Sequence, residues 1–159
     1  MKKQPKTNAM RLLDHAGIAY EVLQYKLAKE EFSGEAACRQ LQMEAERFFK
    51  SLCALSDDGQ IALFLVPVER NLDLKLAARA LGCKSMSLAA TRDLKALTGY
   101  ERGSVTPLGT KKAYPVFIDE GALAFEAIAL SGGVMGCVLV LSPRELGDYL
   151  HAHFCPLCH

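Results

Sequence analysis

The chain has 159 residues, half of them hydrophobic and 23% charged, with a net charge of +1 at pH 7. That length fits one domain around one core, and the composition excludes a disordered chain. So small a net charge also excludes a global field that would draw the molecule to DNA or a membrane, which leaves anionic partners to local clusters such as Lys111-Lys112 or Lys2, Lys3 and Lys6.

The start, MKKQPKTNAMRLLDHAG, has no uninterrupted apolar segment of signal-peptide type. No apolar run reaches the roughly 20 residues of a spanning helix. The expectation is a cytoplasmic protein in which Cys38, Cys53, Cys83 and Cys137 are small, reduced core residues.

In chain order, Thr7 or Asn8 caps a first helix running through His15 and closed by Gly17. IAYEVLQY alternates, with Ile18, Tyr20 and Val22 on one face of a half-buried strand. A helix follows near GEAACRQLQM. RFFKSLCAL and QIALFLVPV are joined by SDDG, and Asp58-Gly59 predicts an antiparallel hairpin. NLDLKLAARALG is a helix capped by Asn71 or Asp73 and ended by Gly82. A short strand near KSMSLA leads to a helix in TRDLKALTG, with Thr91 as cap and Gly99 as stop. After a Gly-rich, cationic loop, YPVFID, FEAIAL and CVLVL read as three more strands. Ser142-Pro143-Arg144-Glu145 combines a capping box with Pro at the first helical position, so a last helix starts there. The fold class is α+β, a single domain with a curved, largely antiparallel, barrel-like mixed sheet covered by helices. Residues 1–150 form that domain, and residues 151–159 are a His/Cys-rich C-terminal tail.

Several chemistries are missing. Gly103 and Gly109 are separated by five residues and precede a strand, with Thr110 rather than Lys after the second, so the loop is not a P-loop. No G-x-S-x-G elbow or H-E-x-x-H occurs, and no histidine lies near a nucleophile in a recognisable motif. Three features remain. Lys50 sits in an otherwise apolar strand, sharing a face with Phe48 and Leu52. It is either a solvated or snorkelling lysine, or a partly desolvated cation in a cleft. The loop GYERGSVTPLGTKK, residues 99–112, is either a turn or a cradle whose glycines let backbone donors approach a ligand. Ser131-Gly132-Gly133 carries the same two readings.

Taken in this order, FFKSL, GSVTPLG and SGG resemble the YbaK/ProX family of aminoacyl-tRNA editing domains. LDLKLAARALG and TGYERGSVTPLGTKK are similar to its bacterial Cys-tRNA(Pro) deacylase branch. The resemblance covers nearly the whole chain, from about Thr7 to Leu150. It implies a trans-editing hydrolase that frees the wrong amino acid from mischarged tRNA by substrate-assisted ester hydrolysis, with no cofactor. Cysteine attached to tRNA(Pro) is the implied substrate, because prolyl-tRNA synthetase rejects so similar a size poorly. Lys50 becomes the key cation at the 3′ terminal adenosine. Tyr25, Ser51, Gly103, Thr106, Pro107, Gly109, Ser131, Gly132 and Gly133 become substrate-binding residues, with Lys111 and Lys112 near tRNA phosphate. The partners implied are the acceptor end of aminoacyl-tRNA and prolyl-tRNA synthetase; monomer and dimer are both left open. Three positions depart from the pattern: Ser104 stands where a second glycine is common, Thr106 where serine is usual, and Val138 where a polar or acidic residue is frequent. They keep alive a non-catalytic tRNA- or nucleotide-binding protein of the same fold.

The tail HAHFCPLCH lies outside the resemblance. C-x-x-C-H is a haem-attachment pattern, but no export signal accompanies it. Cys155, Cys158 and His159 could instead hold Zn²⁺, or act as a metal- or redox-responsive regulator. A frayed tail is the alternative.

Overall fold

The computed structural model describes residues 5–26 and 34–159. Helix α1 (Asn8–Ala16) is capped by Thr7, whose hydroxyl accepts from the Met10 N–H, and is closed by Gly17 in the left-handed conformation. Strand β1 (Tyr20–Gln24) and helix α2 (Gly34–Leu41) follow. Strands β2 (Phe49–Ser56) and β3 (Ile61–Pro67) form the antiparallel hairpin that Asp58-Gly59 predicts, with Lys50 opposite Val66. Helix α3 (Leu74–Leu81) takes Asp73 as its cap. Then come β4 (Met86–Leu88), α4 (Leu94–Thr98), β5 (Val116–Asp119), β6 (Ile128–Ser131) and β7 (Cys137–Leu141). Helix α5 (Pro143–Leu150) has the expected Ser142 cap, and β8 (His153–Cys155) ends the chain's regular structure.

The strands form two sheets, one ordered β1-β7-β6 and one ordered β4-β2-β3-β5-β8. A single parallel bridge, Phe48 to Ala129, joins the start of β2 to β6 and curls the two into an incomplete barrel. The first sheet is antiparallel; in the second, β3 with β5 and β5 with β8 are parallel.

Both faces of the second sheet are covered, which explains why IALFLVP reads as a continuous apolar run rather than an alternating one. From β2, Phe49 and Cys53 enter the main core with Leu63, Leu65, Leu130, Leu139 and, from α1, Leu13. On its other face, Ala54 packs with Phe64, Val66, Ala77 and Leu157, with Leu52 against them. A third cluster gathers Phe48, Val68, Ala129 and Val138 under Ala37 and Cys38 of α2.

Three expectations need correction. Val22 does not share the buried face of Ile18 and Tyr20; it is 38% exposed, whereas Leu23 and Tyr25 pack against the cluster under α2. β1 is an edge strand that passes from one cluster to another along its length. Thr91 caps no helix through its side chain; it opens a 3-10 turn, Thr91–Asp93, that leads into α4. The tail is not frayed, because β8 adds to the sheet beside β5 and Leu157 is fully buried. Asp119 supplies the anchor: its carboxylate accepts from the Leu157 N–H at 3.0 Å, and the Asp73 N–H donates to the Leu157 carbonyl at 2.8 Å. Truncating so buried a leucine costs roughly 2–5 kcal/mol. Leu157→Ala is therefore expected to lower the stability read by urea unfolding by that amount, and an unchanged midpoint would mean that the tail is not part of the core.

Candidate active site

The pairing of β2 sets the geometry. The Val68 N–H donates to the Phe48 carbonyl and the Ser56 N–H to the Gln60 carbonyl, so even-numbered residues of β2 direct their main-chain groups at β3. The odd-numbered ones face the other way, and there the Ala89 N–H donates to the Cys53 carbonyl. β4 pairs no further, and among the described residues β6 bridges only at Phe48. Between them, among the described residues, no strand pairs with β2 at Ser51. Its N–H and C=O point into a gap in the barrel wall.

A cavity of about 580 Å³ fills this gap, within the size range of small-molecule sites. It wraps the open edge, so Lys50 on one face of β2 and Phe49 and Cys53 on the other all line it. Lys50 is the half-buried cation. Its Nζ donates to the Val68 carbonyl at 3.4 Å, a long bond that leaves the ammonium other donors to offer. Burial lowers its pKa from the ordinary lysine value, with Glu35 and Cys158 acting the other way. The Ser51 hydroxyl is buried with no hydrogen-bond partner among the described residues. Ser131, from the end of β6, adds a hydroxyl that accepts from the Gly133 N–H at 3.1 Å.

Of the residues proposed from sequence, the structure brings Tyr25, Lys50, Ser51, Gly103 and Ser131 to the cavity. Thr106, Pro107, Gly109, Gly132 and Gly133 do not line it. The central loop is a wall more than a cradle: Ser104, Val105, Thr106, Pro107 and Leu108 are all buried. Of these, Val105 reaches the cavity, with Gly103 beside it. Thr106 is fully buried, its hydroxyl unpartnered among the described residues. Gly109 serves α1 instead. Its φ is +76°, and a Cβ there would lie 2.5 Å from Asn8 Nδ2 and 3.1 Å from the Tyr100 hydroxyl.

Tyr100, which sequence reasoning passed over, fastens the two glycine turns together. Its hydroxyl donates to the Leu108 carbonyl, and its ring edge lies 3.2 Å from where a Gly133 Cβ would stand. Glu35, Thr91 and Arg102 line the cavity too and were also missed. They come from separate helices, turns and loops, and only the fold gathers them.

The tail residues do not assemble into a metal centre. Among the described residues no group of three or more His, Cys, Asp or Glu side chains could hold a metal ion. His159 Nε2 lies 2.7 Å from an Asp73 oxygen, and the Cys158 thiol donates to Asp119 at 3.4 Å. Burial and the Asp119 charge push the Cys158 thiol up to about 11, and Cys155 shifts the same way for the same two reasons. Lys111 and Lys112 are exposed on the loop beyond the cavity and do not line it.

Comparison with known proteins now decides the family. A family model described as "Aminoacyl-tRNA editing domain" matches residues 29–149. The chain belongs to the aminoacyl-tRNA editing domain family. A relative in Enterococcus faecalis, named "Putative Cys-tRNA(Pro)/Cys-tRNA(Cys) deacylase EbsC", is 32% identical over 96% of this chain and 93% of its own length. A proline–tRNA ligase of Shouchella clausii is 27% identical over 74% of this chain, which spans only 20% of that ligase. Among solved structures, one described as "a putative trans-editing enzyme for prolyl tRNA synthetase" superposes with a TM-score of 0.82 at 26% identity, covering 98% of this chain and 99% of that one. The editing domain is thus an α+β unit with the barrel-like sheet expected from the sequence. Among the described residues, no helix is long and apolar enough to cross a membrane.

The Gly109 geometry makes a testable distinction. Forcing a Cβ onto left-handed backbone costs about 1–2 kcal/mol. Gly109→Ala is expected to lower the melting temperature while leaving the KM of the folded fraction unchanged. A raised KM at unchanged stability would return Gly109 to the substrate site.

Proposed function

We propose that this editing domain is a trans-editing aminoacyl-tRNA deacylase that hydrolyses mischarged tRNA, with Cys-tRNA(Pro) as its preferred substrate. The observation that carries the reading is the half-buried Lys50 ammonium beside the unpaired main-chain edge at Ser51. An ester under attack gathers negative charge on its carbonyl oxygen. A partly dry ammonium and a fixed N–H, both preorganised, are the donors that such an oxygen needs. Among the described residues no nucleophile–base pair like that of a Ser-His-Asp hydrolase stands in the cavity, which fits catalysis by orientation, with a water or a substrate hydroxyl or thiol as attacking group.

In this reading the terminal adenosine lies against Lys50, Tyr25, Gly103 and Ser131. The aminoacyl side chain fits among Phe49, Cys53, Val105, Cys137 and Val138, an apolar lining suited to a small side chain. Attack by water on the carbonyl carbon breaks its bond to the ribose oxygen, which leaves with one of the water's protons, and the amino acid departs as a carboxylate with release of the other. Attack by the substrate's own thiol gives a cyclic thioester that water then opens to the same carboxylate. Thr106 is fully buried behind the wall, its methyl group 3.8 Å from where a Gly133 Cβ would stand, and takes no direct part in the pocket. Prolyl-tRNA synthetase, whose relative carries a similar segment, is the proposed source of charged tRNA, and the cytoplasm the proposed location. No cofactor takes part, and Zn²⁺ at the tail forms no part of the reading.

Deacylation of Cys-tRNA(Pro), Ala-tRNA(Pro) and Pro-tRNA(Pro) by wild-type protein and Lys50→Ala tests the proposal. Wild type is expected to clear the cysteinyl ester, and Lys50→Ala to be slower by at least about 100-fold. Wild type that hydrolyses no mischarged species would overturn the assignment, and so would a fully active Lys50→Ala.

Acidity supplies a second expectation. The protonated amine is the working form and burial lowers its pKa, so catalysis above the spontaneous rate should be lost as pH rises through a value below lysine's ordinary 10.5. The stability effect has the opposite sign. The burial penalty is full at neutral pH, where the amine is charged, and is relieved as pH rises through the lowered value. Lys50→Met is therefore expected to melt no lower than wild type at neutral pH while remaining inactive. A melting point well below wild type would make Lys50 a structural residue.

A further inference from the structure

The two walls of the cavity differ in charge. One is built from residues 91–112, and three hydrogen bonds or ion pairs stitch it into a single surface. Lys95 Nζ pairs with Glu101 at 3.5 Å, the Lys111 N–H donates to the Thr98 carbonyl at 3.2 Å, and the Tyr114 hydroxyl donates to the Leu97 carbonyl at 2.6 Å. The Lys111 side chain lies over Gly99, 3.3 Å from where a Cβ would stand. Lys95 and Glu101 neutralise each other. That leaves Arg92, Arg102, Lys111 and Lys112, all exposed, against Asp93 alone. Arg102 and Thr91 lie on the cavity lining, beside Leu88, which at 52% exposed gives the mouth an apolar lip.

The facing wall is α2, which presents Glu35 to the cavity. Behind it a second, more open groove is lined by Glu35 again, with Glu69, Arg39 and Cys38. Burial pushes the Cys38 thiol up to about 11, and Glu69, Glu35 and Glu46 add to the rise, which marks this side as electronegative.

A charged tRNA brings its terminal nucleoside into the cavity with the unpaired 3′ strand still attached. The phosphates of that strand must leave over one rim or the other. We propose that the strand leaves along residues 91–112, with its phosphates on Arg92 and Arg102 and then towards Lys111 and Lys112, and that the α2 rim turns it away. This inference rests on the deacylase reading and adds to it a direction and two arginines. The guanidinium groups can each take a phosphate in bidentate fashion, and Leu88 offers apolar surface to the base that precedes the terminal nucleoside.

Salt dependence tests it. The probe is a tRNA whose 3′ aminoacyl group is amide-linked and so resists hydrolysis, titrated against the whole chain between about 50 and about 200 mM salt. Each single-strand phosphate contact contributes about 0.7 to the slope of log K against log salt. Arg92→Ala and Arg102→Ala are each expected to weaken binding and flatten the slope by about that amount, and the double variant by about twice as much. Arg144→Ala, which alters α5 away from both rims, should leave the slope unchanged. Unchanged slopes in both arginine variants, or an equal flattening in Arg144→Ala, would overturn the proposal. Binding needs no turnover, so the two readings fail separately. The expected slopes in a protein that hydrolyses no ester would uphold the strand direction and sink the deacylase reading, whereas hydrolysis with unchanged slopes would do the reverse.

Discussion

The unpaired edge of β2 at Ser51 is the constraint on which the site depends. β2 is the strand from which both sheets are hung, through β3 along one edge and through β4 and the Phe48–Ala129 bridge along the other. Because β4 pairs only as far as the bond at Cys53 and β6 bridges only at Phe48, the described strands leave the barrel wall unpaired between them. Unpaired main-chain groups in a protein interior are costly unless something occupies them. Here the opening is a cavity with a main-chain donor, a main-chain acceptor, an unpartnered serine hydroxyl and an ammonium on its walls. A closed barrel would be the more stable object, and it would have no site.

Lys50 shows the same exchange of stability for function in one side chain. Its stem lies on the face that Phe48 and Leu52 use for packing, and burial works against its charge. The surrounding structure holds it by a long bond to the Val68 carbonyl and by the field of Glu35. Gly34 lets α2 approach this point, since a Cβ there would fall 2.4 Å from Val68 Cγ1. The docked tail brings Cys158 towards the other side, anchored through Asp119. Elements distant in sequence thus converge on one ammonium.

What the sequence made legible follows from how local each signal is. Caps at Thr7, Asp73 and Ser142, stops at Gly17, Gly82 and Gly99, and the Asp58-Gly59 turn are decided within a few residues, and the structure has all of them. The side of β2 on which Lys50 lies followed from alternation alone. Thr91 misled because a good capping residue precedes a 3-10 turn as readily as a helix. The central loop was recognisable as a pattern, but its orientation was not: Gly109 is needed by Asn8 and Leu12 of α1, a hundred residues earlier in the chain. The tail's histidines and cysteines looked like ligands because composition carries no information about Asp119 and Asp73, the carboxylates that engage Cys158 and His159. Glu35, Tyr100 and Arg102 had no motif to announce them.

The most direct test of the central claim is to locate the ligand. Isotope-labelled protein would be titrated with adenosine carrying an amide-linked 3′ amino acid, and the backbone and lysine amine signals followed by nuclear magnetic resonance. The account predicts that the Ser51 amide and the Lys50 amine shift together and saturate at one ligand concentration, with Gly103 and Ser131 moving in step. Shifts centred on Cys38, Gln42 and Met43, or a Ser51 amide unmoved while ligand binds, would contradict it.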